Sequence, residues 1–226
     1  MLGKLLLNYE TKSLFYNQYL YKLVIKNHCS HLFRDKNLNY ARINLDRMQS
    51  SLDENNVILT MYGIREKFIS HDDFRSAKTM LNVFSSFDPD EYKLRIENPT
   101  MNVYTNSNSV ITNLVSRLTI KEYWQPNPKN LSKLDKNVIL VDTDTGFDYR
   151  VTFNHRSIDY SFYNWVLNNK DKVKIGRIAL EAVEQGGACG LYFYVRDEKI
   201  LQLISLLIGH NFQSVQRIVS TQDLDK

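Results

Sequence analysis

The segment Leu191–Val219, LYFYVRDEKILQLISLLIGHNFQSVQRIV, decides the fold class of this chain. Leu191–Val195 is rich in aromatic and branched residues and is typical of a strand. Asp197 is placed to cap a helix over 199–208. Val215–Val219 has the composition of a further strand. The segment therefore predicts a β-α-β unit, with its helix packed on a sheet.

Short strands and short helices also alternate in the residues before this segment. Val138–Val141 and Tyr149–Phe153 flank the turn residues Asp144-Thr145-Gly146, and this arrangement predicts a hairpin. Apolar residues at helical spacing predict helices over about 159–169 and 174–185.

The first half of the chain shows the same mixture. A capping box at Ser70–Asp73 precedes an apolar stripe that ends at Phe87, which predicts an amphipathic helix. Leu94 and Ile96 alternate with charged residues, and Asn98-Pro99 predicts a turn into a second strand. The other predicted elements are strands at Tyr19–Ile25, Val57–Tyr62 and Thr119–Trp124, a helix over about 38–53, and a short helix through Ile111 and Leu118.

A proline-containing segment separates the two halves. Gln125–Asn137 holds two of the four prolines, no aromatic residue and no clean hydrophobic period. We therefore predict an N-terminal α+β domain over 1–125, a linker over 126–136 and a C-terminal α+β domain over 137–226. The predicted fold class is α+β, with two small mixed α/β sandwich domains, ferredoxin-like or related, that contain antiparallel hairpins. No internal sequence repeat is evident.

The composition indicates a folded chain in a reducing compartment. Hydrophobic residues make up 43% of the sequence and charged residues 24%, as in globular proteins. No apolar run approaches the roughly 20 residues of a membrane span, and the N-terminus predicts no signal peptide. Cys29 and Cys189 are the two cysteines, far apart in sequence. We therefore expect a cytoplasmic protein. The 22 asparagines suit an AT-rich genome, for example that of a phage, and the host cytoplasm would then be the location.

Positive charge is concentrated near the N-terminus. The net charge is +4 with a pI of about 8.9, and residues 1–50 carry eight basic and three acidic side chains. A localised basic patch is therefore expected, and polyanions are the partners that it suits.

One strand has a pattern associated with RNA binding. The sequence Cys189-Gly-Leu-Tyr-Phe-Tyr-Val-Arg196 resembles, over eight residues, the third-strand motif of RNA-recognition domains. Cys189 stands where that motif has a basic residue, and the strand that we expect to be its partner, Val138–Val141, has no aromatic residue. The resemblance implies that Tyr192 and Tyr194 share one face and stack on bases. Ordinary tyrosines on a half-exposed strand give the same alternation.

These features lead to one preferred function. We predict a non-enzymatic nucleic-acid-binding protein, with RNA or a single strand preferred, and with no cofactor, metal or catalytic residue assigned. The predicted nucleic-acid-binding residues are Arg34, Lys36, Arg42, Arg47, Tyr192, Tyr194 and Arg196.

Two alternative functions stay open. The helix over 199–208 is apolar nearly all round, so it is either central in the fold or a self-association surface, for example in a homodimer through Ile200, Leu203 and Leu207. The second alternative is a small endoribonuclease that uses His155 as a general base, together with the nearby residues Asp148, Arg156 and Asp159.

Two groups of potential metal ligands also occur. His28, Cys29 and His31 lie close together, but their spacing matches no standard zinc site. Asp142 and Asp144 follow a strand-like run, where two carboxylates can bind a metal ion. A tight Asp-Thr-Gly turn is the simpler interpretation of the second group.

Overall fold

The structure is a computed structural model that describes residues 5–62, 65–209 and 211–222. The strands are β1 Leu5–Glu10, β2 Tyr21–Lys26, β3 Leu59–Tyr62, β4 Arg65–Phe68, β5 Tyr92–Glu97, β6 Thr100–Thr105, β7 Ile120–Gln125, β8 Val138–Val141, β9 Tyr149–Phe153, β10 Val173–Ile175, β11 Tyr192–Val195 and β12 Phe212–Ser220. The helices are α1 Leu38–Asn55, α2 His71–Ser85, α3 Asn108–Arg117, α4 Tyr160–Asn168, α5 Arg177–Glu184 and α6 Glu198–Ile208.

The chain divides into two compact units. The first unit consists of Met1–Thr11 and Gln18–Asn127, and the second consists of Lys12–Asn17 and Pro128–Lys226. The short segment Lys12–Asn17 joins the second unit through a hydrogen bond from the Leu140 amide to the Lys12 carbonyl, at 2.7 Å. An α+β fold with two domains is therefore confirmed. The domain limits predicted from the sequence stay predictions.

The first unit is built on a five-stranded mixed sheet in the order β1-β7-β2-β6-β5. β1 is parallel to β7, and all other neighbours are antiparallel. The turn predicted at Asn98-Pro99 is confirmed, and it joins β5 and β6 as an antiparallel hairpin. β3 and β4 form a separate two-stranded sheet.

The second unit is built on a five-stranded sheet in the order β10-β11-β9-β12-β8. β8 is parallel to β12, and the other neighbours are antiparallel. β11, α6 and β12 form the predicted β-α-β unit, but β9 lies between the two strands, so the unit is a split one.

The two sheets share one topology. When β8, β9, β10, β11 and β12 are matched to β1, β2, β5, β6 and β7 in chain order, both sheets have the same neighbours with the same directions. In each sheet the extra edge strand runs parallel to the last strand. Each sheet has five strands instead of the four of a ferredoxin-like domain, so that finer assignment stays a prediction. The repeated architecture has no counterpart that is visible in the sequence.

Each unit has its own hydrophobic core. In the first unit, α2 contributes Phe74, Ala77 and Phe84 to the core, as its apolar stripe predicts, and the Ser70 hydroxyl accepts a hydrogen bond from the Asp73 amide at the start of this helix. In the second unit, the core is centred on the rings of Phe153, Phe162 and Phe193. The centroid of Phe193 lies 4.8 Å from that of Phe153 and 5.7 Å from that of Phe162.

Some predicted elements are wrong in detail. Val138–Val141 and Tyr149–Phe153 do not form a hairpin, because β8 and β9 both pair with β12 and lie on opposite sides of it. The predicted helix over 174–185 begins only at Arg177, because Val173–Ile175 pairs with β11 as a strand. No helix in the described part of the chain is long and apolar enough to cross a membrane.

The alternation along β11 gives a stability prediction. Phe193 is fully buried, whereas Tyr192, the preceding residue, is 43% exposed on the opposite face. We expect Phe193→Ala to lower the free energy of unfolding by about 3–5 kcal/mol, because it removes a ring and leaves a cavity. Tyr192→Ala, the matched control, should cost about 1 kcal/mol or less. Urea denaturation of both variants measures the difference, and equal losses would contradict the assigned faces.

Candidate nucleic-acid interface

The candidate interface is the face of the second unit's sheet that lies opposite the core. On β9, Val151 and Phe153 are buried, so Arg150 and Thr152 project to the other side. Strict alternation in β11 likewise places Tyr192 and Tyr194 opposite the core. We call this surface the open face, and it consists of the outward residues of β9, β10, β11 and β12.

A row of side chains crosses the open face from strand to strand. Lys174 on β10 pairs with Tyr194 on β11, Tyr194 pairs with Arg150 on β9, and Arg150 pairs with Gln216 on β12. Adjacent strands are about 4.8 Å apart, so the row is about 14 Å long. It alternates cationic and aromatic or polar groups, and none of its members carries a negative charge.

The aromatic rings and the guanidinium group on the open face are in direct contact. The ring centroids of Tyr192 and Tyr194 are 5.6 Å apart at an interplanar angle of 75°, an edge-to-face arrangement. The guanidinium carbon of Arg150 lies 4.2 Å from the centroid of Tyr192, which is a cation–π distance. The two rings and Arg150 therefore form one contiguous group.

The Tyr194 hydroxyl group is neutral at physiological pH. Burial raises the pKa of Tyr194, and the neighbouring Tyr192 raises it further, whereas Arg150 lowers it. The Tyr194 hydroxyl therefore stays protonated and can donate a hydrogen bond. A neutral hydroxyl beside two cations leaves the open face attractive to an anion.

The structure brings together only part of the predicted site. Tyr192 and Tyr194 share the open face. Arg196 lies just after the end of β11 and forms an ion pair with Asp171, at 3.8 Å. Arg150 and Lys174 were missed. Arg150 could have been identified from its alternation with the buried residues Val151 and Phe153. Lys174 could not, because the sequence pattern assigned it to a helix that begins only at Arg177.

The predicted basic residues of the first unit do not form one patch. Arg42 and Arg47 are exposed on α1, but five helical residues separate their directions by roughly 140°. The Lys36 ammonium donates a hydrogen bond to the Pro89 carbonyl and lies 5.2 Å from the ring centroid of Tyr92. Arg34 is exposed beside Lys36. These four predicted basic residues therefore lie on more than one surface of the first unit.

A second group of aromatic residues, also missed from the sequence, lies in the first unit. Tyr9 and Trp124 on the neighbouring strands β1 and β7 are stacked with centroids 4.6 Å apart. The Lys22 ammonium lies 5.3 Å from the Trp124 centroid. In contrast, Tyr104 on the adjoining part of the sheet is buried. This group therefore lies on β1, β7 and β2, and the exposed aromatic surface does not continue onto β6.

The histidines and the cysteine near β2 have local partners. His28 Nδ1 lies 2.9 Å from Asp73 Oδ2, and His31 Nδ1 lies 3.2 Å from the His28 carbonyl. Burial raises the pKa of Cys29 to about 12, with Asp73 as a further cause, so the thiol keeps its proton. Among the described residues, no three His, Cys, Asp or Glu side chains come together in a way that could hold a metal ion.

The two aspartates after β8 form local contacts. Asp142 Oδ2 lies 2.5 Å from the Lys12 ammonium, and Asp144 Oδ1 accepts a hydrogen bond from the Gly146 amide at 2.8 Å. Gly146 has a φ of +70°, which favours glycine. These are the contacts of a tight Asp-Thr-Gly turn.

The residues of the nuclease hypothesis lie before and after β9. Asp148 precedes β9 and His155 follows it, so about 17 Å of strand separates them. Asp159 caps α4 by accepting a hydrogen bond from the Ser161 amide. His155 Nδ1 instead lies 3.0 Å from the thiol of Cys189. Asp148 is therefore separated from His155, and the endoribonuclease stays a hypothesis.

No family model, no curated protein and no solved structure matches this chain. The candidate interface consequently depends on its own geometry.

Proposed function

We propose that this protein binds single-stranded nucleic acid, with a preference for RNA, through the open face of its second unit. In this proposal the protein catalyses no reaction. The observation that carries the proposal is the row Lys174–Tyr194–Arg150, with Tyr192 packed against Arg150. Cations and tyrosine rings on one sheet face are the groups that single-strand-binding surfaces use.

Each kind of side chain has a separate role in this proposal. Tyr192 is 43% exposed, so a base can stack on it or against its edge. Base–aromatic stacking contributes about 1–3 kcal/mol per base and tolerates different sequences. Arg150 and Lys174 flank Tyr194 in the row, and in this proposal they contact the phosphates on either side of the stacked base. Phosphate contacts then supply affinity, and the rings require bases that are not already paired.

A single strand suits this surface better than a duplex. In a duplex the base faces are stacked on one another, and in double-stranded RNA the major groove is too narrow for side chains to read the bases. A single nucleic-acid strand with unstacked bases instead exposes both its base rings and its phosphates to a flat protein surface. The tyrosines favour that form, and the overall charge of +4 favours association with any polyanion.

The resemblance of Cys189–Arg196 to the third-strand motif of RNA-recognition domains supports the same proposal. β11 is the third strand of the second unit's sheet in chain order, counted from β9. Its sheet neighbour is β9, and not Val138–Val141 as expected from the sequence. The missing aromatic residue of Val138–Val141 is therefore irrelevant, because Arg150 occupies the position beside the tyrosines.

A second candidate function is self-association through α6. The predicted homodimer residues Ile200 and Leu207 are partly buried against the core, whereas Leu203 is 40% and Leu206 is 83% exposed. Two exposed leucines one turn apart favour a contact with another protein surface. If the protein binds no nucleic acid even at low salt, self-association becomes the leading candidate.

Removing one ring tests the stacking contribution. We expect Tyr192→Ala to weaken binding of a single-stranded RNA of about 12 nucleotides by roughly 5- to 150-fold, the equivalent of one lost base stack. Tyr160→Ala is the matched control, because Tyr160 is 56% exposed on α4, away from the open face. Fluorescence anisotropy measures both affinities. An equal affinity for the two variants would contradict the role of the open face.

The salt dependence of binding tests the phosphate contacts. The logarithm of the binding constant should fall with the logarithm of salt concentration by about 0.7 for each phosphate contact. Arg150→Gln and Lys174→Gln should each make this slope shallower by about that amount. Arg75→Gln, which removes an exposed cation paired with Asp72 on α2, should leave the slope unchanged. Slopes that are the same in all three variants would rule out phosphate contacts on the open face.

A further inference from the structure

A cavity lies at the edge of the open face, where β10 leads into α5. Its volume is about 530 Å³, and it is lined by Lys174–Ala179 and by Leu191, Tyr192 and Tyr194. The lining therefore joins the two tyrosines to the start of α5. This volume is in the range of small-molecule pockets, roughly 300–1,000 Å³.

The walls of the cavity are aromatic and aliphatic. Ile175, Ile178 and Leu191 face it together with the tyrosines, and Ile178 is 70% exposed although it is a large apolar residue. A flat, weakly polar group has a lower free energy against such a wall than in water. No carboxylate is among the lining residues.

Positive charge is present at the same place. Lys174 and Arg177 both line the cavity and are exposed. Arg177 Nε lies 3.5 Å from Glu181 Oε1, but both side chains are largely exposed, so this pair is weak. An apolar slot with cations beside it complements a flat ring that is attached to an anion.

We propose that one unstacked base of the bound single strand occupies this cavity, with its flanking phosphate on Lys174 and Arg177. This inference rests on the proposed function and specifies it: the strand is held by one inserted base in addition to contacts along the row Lys174–Tyr194–Arg150. A base that is paired in a duplex cannot enter the cavity, so the cavity selects single strands.

Gly176 provides a way to fill the cavity. It lines the cavity between β10 and α5, and a Cβ built on it meets no atom within 4 Å. Its φ of −72° and ψ of 153° are accessible to any residue. A larger side chain at this position therefore occupies open space without straining the backbone. Gly187 also has no atom within 4 Å of its Cβ position and lies outside the cavity, so it provides the matched control.

The experiment compares two probes by fluorescence anisotropy: a single-stranded RNA of about 12 nucleotides, and a ribose-phosphate strand of the same length without bases. We expect Gly176→Leu to weaken RNA binding about tenfold, the loss of one base contact, and to leave binding of the abasic strand unchanged. Gly187→Leu should change neither affinity. Arg150→Gln should weaken both, because it acts on phosphates.

A second variant tests the cavity even if Gly176→Leu fails to fold. Ile178→Ala shortens an exposed wall of the cavity and should also weaken binding of RNA and not of the abasic strand. The inference is overturned if both variants bind RNA like the wild type, or if they weaken both probes equally. If Tyr192→Ala still weakens RNA binding in that case, the proposed function stands without the cavity. If the wild type binds neither probe, the proposed function itself fails.

Discussion

The alternation of side chains along β9 and β11 is the constraint on which the account depends. Phe153 and Phe193 are fully buried in one core, and a strand sends successive side chains to opposite faces. Burying these two rings therefore fixes Arg150, Tyr192 and Tyr194 on the other face. A shift of one residue in register would place a guanidinium and two hydroxyls in the core, which is far too costly. The stability of the second unit and its candidate interface thus have the same origin.

The two units share one topology, but the exposed pair of tyrosine rings on β11 occurs in the second unit and has no counterpart on β6 of the first. Both sheets have the same order and strand directions, so each could in principle present an open face. In the first unit, the residues of β6 that correspond to the outward tyrosines are Asn102 and Tyr104, and both are buried. The architecture is therefore repeated, but the exposed pair of rings on the third strand is not.

Local patterns predicted much of the fold. The stripe of α2, the hairpin at Asn98-Pro99 and the strand Leu191–Val195 depend on neighbouring residues, and the sequence identified all three. The pairing of β8 with β12 depends on residues about 80 positions apart, and no local pattern encodes it. β10 has only three residues, which is too short for a period to be visible, so Lys174 was assigned to a helix. The candidate site was thus partly predictable: its tyrosines and Arg150 follow from local alternation, whereas Lys174 depends on the pairing of β10 with β11.

The most direct measurement is photo-crosslinking of a single-stranded RNA that contains iodouridine, followed by mass spectrometry of the crosslinked peptides. We expect crosslinks at Tyr192 or Tyr194, because these are the rings on which a base would stack. Crosslinks that occur only in peptides of the first unit, for example around Arg42 and Arg47 on α1, would contradict it.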